Sequence, residues 1–294
     1  MNTSLKIIFF GTEDFSLAAL RHLIDAGFDI AAVVTKPDSK KGRGHKTTPP
    51  AVKVLAEANN IPVWQPNKLA EIYDNILALQ PVAGVLVSYG KIIPASIIDL
   101  FTPGIINLHP SLLPKYRGPS PIESAILNGD DKTGVSIMQL SPAMDAGAVY
   151  AQKIYLLNGS ETKPQLYATL AEAGSELLVE ILPNILNGKL QPEPQNDAAA
   201  TYCQLLQKTD SQLDPSNTSA QQAERQVRAY LGFPKTKLQL DEHNLIITKA
   251  HISSQQKTPL DIEFRGGEFL SIDELVGPSG KTMSAEAFIR GYLS

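Results

Sequence analysis

The stretch LKIIFFGTEDFSLAALRHLIDAG, residues 5–27, predicts how the chain begins to fold. Leu5–Phe10 is an almost continuous apolar run, which is typical of a strand buried on both faces. Apolar residues at helical spacing follow, and Gly27 supplies a stop. They are Leu17, Leu20, Leu23 and Ile24. The stretch therefore predicts a buried strand, a turn and an amphipathic helix.

The same alternation continues through the first two-thirds of the chain. Further strands are predicted at Ile30–Val34, Val82–Val87, Gly104–Leu108, Gly134–Leu140 and Val149–Tyr155. Pro62 makes Ile61–Trp64 an edge strand at best, and Pro183 is expected to end or kink a helix over Leu166–Leu182. Repeated strand–helix units predict an α/β fold with a Rossmann-like, doubly wound and mostly parallel sheet.

The pattern changes after a polar, proline-containing segment, NGKLQPEPQNDAAAT at residues 187–201. Without periodicity it is interpreted as a linker. Short alternating segments with tight turns follow, which predict a small β-rich domain resembling an OB barrel. The predicted organisation is a catalytic domain at 1–188, a linker at 189–204 and a C-terminal domain at 205–294.

Composition excludes several classes of protein. The 294-residue chain has a net charge of −4, so nucleic-acid binding would need a local basic patch. One cysteine excludes an internal disulfide and a multi-thiolate zinc site, and fits a reducing compartment. No apolar run approaches the roughly 20 residues of a membrane span, and residues 1–10 lack a signal-peptide pattern. A cytoplasmic protein without a membrane partner is expected.

The turn after the first strand argues against a nucleotide cofactor. A dinucleotide fold places G-x-G-x-x-G here, whereas this chain has Gly11 followed by Glu13 and Asp14. Acidic side chains at a helix N-terminus repel phosphate and are better interpreted as part of a capped helix start.

A second stretch, GIINLHPSLLPKYRGPSPI at residues 104–122, carries the candidate chemistry. It predicts a strand that ends in a loop stiffened by four prolines, and such loops bind ligands in open α/β sheets. Asn107 and His109 lie two residues apart and so share one face of the strand. Together they form a plausible pair of donors to a developing oxyanion.

Asp145, in Met144-Asp145-Ala146-Gly147, is the best candidate for a carboxylate partner that would orient His109 or keep it charged. From spacing alone, an aspartate that only forms a turn beside a glycine is an equally good interpretation.

Several motifs resemble those of the folate-dependent formyltransferases, and most closely the branch that acts on methionyl-tRNA. They are Asn107-Leu108-His109-Pro110-Ser111-Leu112-Leu113-Pro114, Tyr116-Arg117-Gly118, Asp145-Ala146-Gly147, Phe9-Phe10-Gly11-Thr12, Lys36-Pro37-Asp38, Ser88-Tyr89-Gly90 and Gly280-Lys281-Thr282-Met283. The resemblance covers nearly the whole chain. One departure lies around the aspartate, where the family usually has Gly-Leu-Asp-Thr-Gly-Asp and this chain has AMDAGA, residues 143–148.

The resemblance implies formyl transfer from 10-formyltetrahydrofolate, a co-substrate, to the amino group of charged initiator methionyl-tRNA. It implies Asn107, His109 and Asp145 as catalytic residues, with Asp145 orienting His109 and assisting proton transfer. It places folate at two loops, formed by Ser88, Tyr89, Gly90, Ser111, Leu112, Leu113 and Pro114. No metal is needed, and a monomer is expected.

The segment KPDSKKGRGHKTTPPAVK, residues 36–53, is basic in an otherwise acidic chain. A solvated loop is the default interpretation of such a run, but glycines around Arg43 would let it adapt to a phosphate backbone. By resemblance, Lys40, Lys41, Arg43 and Lys46 bind tRNA, and the C-terminal domain adds contacts. Three alternatives stay open: formyl transfer to a small amine such as an amino sugar, hydrolysis of formyltetrahydrofolate, and a non-catalytic folate- or RNA-binding protein.

Overall fold

The computed structural model describes residues 5–41, 46–80, 82–240 and 243–293, with Lys41 and Lys46 described by backbone only. In the described residues, the strands are β1 Lys6–Gly11, β2 Ile30–Val34, β3 Ser39–Lys41, β4 Lys46–Thr48, β5 Val63–Trp64, β6 Val82–Val87, β7 Ile105–His109, β8 Lys132–Gln139, β9 Val149–Leu156, β10 Thr236–Leu240, β11 His243–Ser253, β12 Asp261–Glu263, β13 Phe269–Val276 and β14 Thr282–Ser284. The α-helices are α1 Phe15–Asp25, α2 Ala51–Ala58, α3 Tyr73–Leu77, α4 Ala95–Ile98, α5 Pro121–Asn128, α6 Lys163–Leu186, α7 Ala220–Ala229 and α8 Ala285–Tyr292.

Seven strands form the main sheet in the order β5-β2-β1-β6-β7-β8-β9. The strands from β5 to β7 are parallel to their neighbours, whereas β8 runs antiparallel to β7. The order reverses direction after β1, so the carboxyl ends of β1 and β6 meet at the topological switch point. The predicted α/β class with a doubly wound, mostly parallel sheet is confirmed.

The central strands form because both of their faces are buried. Ile7–Phe10 in β1 and Val82–Val85 in β6 have no polar side chain, and their hydrophobic residues are fully buried. Aromatic residues pack edge-on next to β6, where Phe10 contacts both Tyr89 and Phe101. This packing fixes the strands whose ends carry the candidate site.

Of the two outcomes expected at Pro183, an end or a kink of the helix, the first is wrong, because α6 continues through Pro183 to Leu186. A proline lacks only its own N–H and clashes with the preceding turn. Here it lies in the last turn, where its carbonyl accepts from Asn187 N at 3.2 Å, and Gly188 then leaves the helix with φ of 72°.

The chain divides into two compact units, each discontinuous in sequence. The first comprises residues 1–118, 134–155 and 167–202, and the second 119–133, 156–166 and 203–294. The second unit contains an antiparallel sheet in the order β10-β11-β13-β12, with β14 on β13. Its core includes Leu245, Leu275 and Phe288, which confirms the predicted β-rich region. The functional division predicted at 188 and 205 stays a prediction.

Candidate active site

Strand β7 places Asn107 and His109 on the same face at the carboxyl edge of the sheet. It is an interior strand, with Asn107 opposite Leu86 of β6 and Met138 of β8, and His109 opposite Ser136. Alternation along a strand gives these two residues a common side. Each of them is only 5% exposed, so two polar side chains are held in a largely water-excluded setting.

His109 faces an acceptor at each ring nitrogen. Its Nε2 lies 3.0 Å from the carbonyl oxygen of Tyr116, which can only accept, so Nε2 carries the proton. Its Nδ1 lies 3.7 Å from Oδ2 of Asp145. That separation allows an electrostatic attraction but is too long for a hydrogen bond.

Asp145 lies in the connection between β8 and β9, and its carboxylate is fixed by the loop that follows β7. Its Oδ2 accepts from Gly118 N at 2.8 Å, while the residue itself has a left-handed φ of 46°. The turn brings His109 and Asp145 together, as the sequence predicts, although their catalytic roles stay a prediction.

Gly147, two residues after Asp145, is required by close packing. A Cβ built on Gly147 would lie 1.7 Å from the carbonyl oxygen of Gln139. The backbone of Gln139 also donates to the Ala148 carbonyl at 2.8 Å. A side chain at 147 would therefore displace the end of β8, and with it the turn that holds Asp145.

The Asn107 carboxamide is the least satisfied polar group of the cluster. Within the part of the chain that the structure describes, no hydrogen bond to this side chain occurs. The residue as a whole is 5% exposed, but its amide atoms are not fully buried, because the Tyr89 hydroxyl is the one fully buried side-chain atom without a partner in the described residues. Solvent therefore reaches the Asn107 amide, which is available to a bound molecule.

The two loops predicted to bind folate follow neighbouring parallel strands. Ser88–Gly90 follows β6, and Ser111–Pro114 follows β7, which pairs with β6. The carboxyl ends of parallel strands meet at one edge of a sheet, so the two loops lie side by side at that edge. The structure thus brings the two predicted segments to one place.

Not every side chain in these two loops is available to a ligand. Tyr89 is 1% exposed and packs edge-on against Phe10 at a centroid distance of 5.7 Å. The Ser111 hydroxyl donates to the Lys115 carbonyl at 2.5 Å and is used within its own loop. Leu113 is buried, whereas Leu112 and Pro114 are partly exposed. Backbone groups and the partly exposed side chains are therefore what the loops offer to a ligand.

The basic segment is described only in part. Strands β3 and β4 form an antiparallel hairpin after β2, with Lys40 exposed on β3. Arg43 lies outside the described residues, as do the side chains of Lys41 and Lys46.

Lys53, in the same segment, is already paired. Its ammonium lies 3.0 Å from both carboxylate oxygens of Asp38. Hydrogen bonds from Gln65 and Lys53 lower the pKa of Asp38.

A scan of protein families matches residues 5–182 to the family described as formyl transferase. The chain therefore belongs to the formyl transferase family. It is 36% identical over 301 residues to a methionyl-tRNA formyltransferase of Chloroflexus aurantiacus, covering 98% of this chain and 97% of that one. A methionyl-tRNA formyltransferase of Halorhodospira halophila is 43% identical over 238 residues, covering 81% of this chain and 76% of that one. The predicted family is confirmed.

Solved structures show the same fold at low sequence identity. An N-formyltransferase from Helicobacter canadensis, in complex with folinic acid and dTDP-3-aminofucose, superposes with a TM-score of 0.70 at 18% identity, covering 91% of this chain and 99% of that one. HypX from Aquifex aeolicus, in complex with tetrahydrofolic acid, gives 0.69 at 15% identity, covering 99% of this chain and 48% of that one.

No described helix combines the length and the apolar character needed to cross a membrane. No group of three or more His, Cys, Asp or Glu residues in the described ranges could hold a metal ion.

Proposed function

We propose that this protein transfers the formyl group of 10-formyltetrahydrofolate to the amino group of charged initiator methionyl-tRNA. Membership of the formyl transferase family supports the reaction, and the names of the relatives at 36–43% identity support the acceptor. The observation that carries the mechanism is the nearly buried, unpaired Asn107 amide beside the His109–Asp145 pair.

The reaction needs donors where negative charge develops. As the amine attacks the formyl carbon, charge accumulates on the formyl oxygen, and fixed donors in a dry site stabilise it strongly. Asn107 supplies an N–H that no described group uses. His109 supplies a second at Nδ1, since its 3.7 Å separation from Asp145 leaves that N–H without a hydrogen bond.

Both ring nitrogens of His109 face an acceptor. Nε2 lies 3.0 Å from the carbonyl oxygen of Tyr116, and Nδ1 lies 3.7 Å from Oδ2 of Asp145. In the proposed reaction His109 acts as an imidazolium, which donates from both nitrogens, and its charge offsets that of the oxyanion.

Proton transfer completes the exchange of one C–N bond for another. The bond from the amine nitrogen to the formyl carbon forms, the bond from that carbon to folate N10 breaks, and the proton lost by the amine reaches N10. Asp145, half-buried and fixed by Gly118 N, assists through a water molecule. No covalent enzyme intermediate and no metal ion take part.

Folate binds in the crevice flanked by Ser88–Gly90 and Ser111–Pro114. Loops at the carboxyl ends of adjacent parallel strands support this placement. Backbone amides of these loops read the pterin edge, and Leu112 adds apolar contact. The acceptor tRNA binds to the basic segment after β2 and to the predicted C-terminal domain. The protein acts as a monomer.

The test is formyl transfer by purified protein with 10-formyltetrahydrofolate and charged initiator tRNA. Asn107→Ala, His109→Ala and Asp145→Ala should each lower kcat on the order of 10²–10³-fold, with folate affinity little changed. Asn128→Ala, whose side chain lies outside this cluster, is the control and should keep wild-type turnover. The losses should not add, because the three residues act as a unit.

The same assay separates the alternatives. Charged elongator tRNA, a free amino sugar and water are offered as acceptors in parallel reactions. Faster transfer to the amino sugar or to water than to initiator tRNA would contradict the proposed acceptor. Near-wild-type turnover of the double variant Asn107→Ala/His109→Ala would contradict the oxyanion assignment.

A further inference from the structure

A buried arginine lies next to the candidate catalytic cluster without belonging to it. The Arg117 side chain is 3% exposed and donates to Oε1 of Gln195 from both Nε, at 3.1 Å, and Nη2, at 2.8 Å. Its Nη2 also donates to Asp197 Oδ1 at 2.7 Å. Its Nη1 donates to the Tyr202 hydroxyl at 3.4 Å. Since the residue is almost fully desolvated, these contacts help to balance its charge.

The other end of the Gln195 side chain holds the turn that carries Asp145. Its Nε2 donates to the carbonyl oxygen of Asp145 at 2.8 Å and to that of Gly147 at 2.7 Å. Gln195 thus joins Arg117, more than seventy residues away in the sequence, to the two carbonyls that flank Ala146.

The orientation of this amide is determined by its neighbours. A guanidinium only donates and a carbonyl only accepts, so Oε1 must face Arg117 and the NH₂ group must face the turn. The same turn carries backbone strain at Asp145, whose φ is 46°. Such strain persists where surrounding contacts over-determine the conformation.

We propose that Gln195 is a positioning residue for Asp145, oriented by Arg117 and acting through the backbone of residues 145–147. The inference rests on the proposed catalytic role of Asp145. Gly118 N holds the carboxylate and Gln195 holds the main chain behind it, so together they set the 3.7 Å separation from His109. Loss of the Gln195 contacts would let the carboxylate drift while leaving both substrate-binding segments in place.

The first measurement is steady-state kinetics of Gln195→Ala in the full-length protein. A misplacement of about 1 Å costs on the order of 10²-fold in rate. We therefore expect kcat to fall about 10-fold to 100-fold, with KM for folate and tRNA within about twofold of wild type. Asn196→Ala is the matched control and should keep wild-type kcat. Among the described residues, its exposed side chain accepts a single hydrogen bond, from Ala198 N at 3.1 Å.

A second variant separates the two ends of the amide. Gln195→Glu keeps an acceptor for Arg117 but removes both donors to the turn. It should retain the wild-type melting temperature and still lose kcat as Gln195→Ala does. Wild-type kcat in Gln195→Glu would show that the contacts to Asp145 and Gly147 do not matter, and would overturn the proposal.

A double-variant cycle asks whether the effect passes through Asp145. In the Asp145→Ala background, Gln195→Ala should lower the residual rate by less than twofold, because the group that it positions is gone. An equal loss in both backgrounds would assign Gln195 a merely structural role and overturn the inference.

If Asp145→Ala itself turned over like wild type, the proposed function would fail at Asp145 and this inference with it. If Asp145→Ala turned over slowly while Gln195→Ala stayed fully active, only the positioning role of Gln195 would be rejected.

Discussion

The phenol of Tyr89 is fully buried in the core of the first unit without a hydrogen-bond partner among the described residues. Burial raises the pKa of this phenol to about 12. An unpaired buried hydroxyl costs desolvation energy that no hydrogen bond returns. Tyr89→Phe should therefore raise the free energy of unfolding at neutral pH by about 1 kcal/mol, as measured by denaturant titration.

Tyr89→Phe should also change how the free energy of unfolding depends on pH in the alkaline range. Because the pKa of Tyr89 is higher in the folded protein, the phenol loses its proton first in the unfolded state as the pH rises. Its ionisation therefore leaves the free energy of unfolding unchanged below about pH 10 and lowers that free energy as the pH rises toward 12. Over this range wild type should lose up to about 3 kcal/mol more than Tyr89→Phe. Parallel curves for the two proteins would contradict the buried setting of this phenol. The KM for folate should not change, since the hydroxyl lies in the core.

At the scale of elements, the strands were predictable and the polar network was not. Ile30–Val34 and Val82–Val87 match their predicted bounds because burial on both faces leaves a continuous apolar run. Asn107 and His109 were predictable for a similar reason, since strand alternation places them on one face. The partner of His109 was not fixed by spacing, because a turn-forming aspartate gives the same local pattern.

Gln195 shows what local pattern cannot reveal. Its segment, predicted as a linker, is polar and aperiodic, yet residues 193–202 belong to the first unit and bond to it through Glu193 and Thr201. These bonds join backbone and side-chain groups far apart in sequence, which periodicity does not encode. The sequence marks Arg117 only as part of the Tyr116-Arg117-Gly118 motif. Its burial, which requires partners for the charge, is seen only in the structure.

The loop after β6 supplies a prediction about folate binding. Gly90 has a left-handed φ of 69°, which an alanine adopts only at a cost of about 1–2 kcal/mol. A Cβ there would also meet Lys36 Nζ at 2.5 Å, although that flexible end can move. If strain shifts the backbone amides at 88–90, Gly90→Ala should raise the KM for 10-formyltetrahydrofolate about tenfold with a small change in kcat.

Gly27 provides the matched control for Gly90. It has a similar φ of 76°, with nothing near its added Cβ, and it lies between α1 and β2 at the opposite edge of the sheet. Both substitutions should lower the melting temperature comparably, but only Gly90→Ala should weaken folate binding. An unchanged folate KM in Gly90→Ala would remove this loop from the proposed pocket.

At the scale of the whole molecule, tRNA recognition must overcome an unfavourable charge. The chain carries a net charge of −4, so the protein as a whole repels a polyanion. Attraction must come from a local patch, and two cations of the basic segment are already engaged. Lys53 pairs with Asp38, and Nζ of Lys36 lies 3.9 Å from Oε1 of Glu13. In the proposed function, the cations of this segment that are left to contact tRNA are Lys40, Lys41, Arg43 and Lys46.

Among these cations, Arg43 is the one most suited to phosphate. Its planar guanidinium binds phosphate through two parallel hydrogen bonds, and Gly42 and Gly44 on either side give it reach. Arg43→Ala should raise the KM for charged tRNA and lower kcat as well, since a misplaced aminoacyl end does not reach the formyl carbon. Folate affinity should stay the same.

Lys40→Ala is the comparison that separates specific contact from general attraction. Removing a screened lysine lowers the salt dependence of tRNA binding slightly and uniformly, so its effect should nearly vanish at high salt. The Arg43→Ala defect should persist there, because it reflects lost positioning as well as lost charge. Measuring transfer at two salt concentrations with wild type and both variants tests this directly. Equal transfer by wild type and Arg43→Ala at both concentrations would mean that Arg43 does not select the acceptor, and that another surface overcomes the negative charge of the chain.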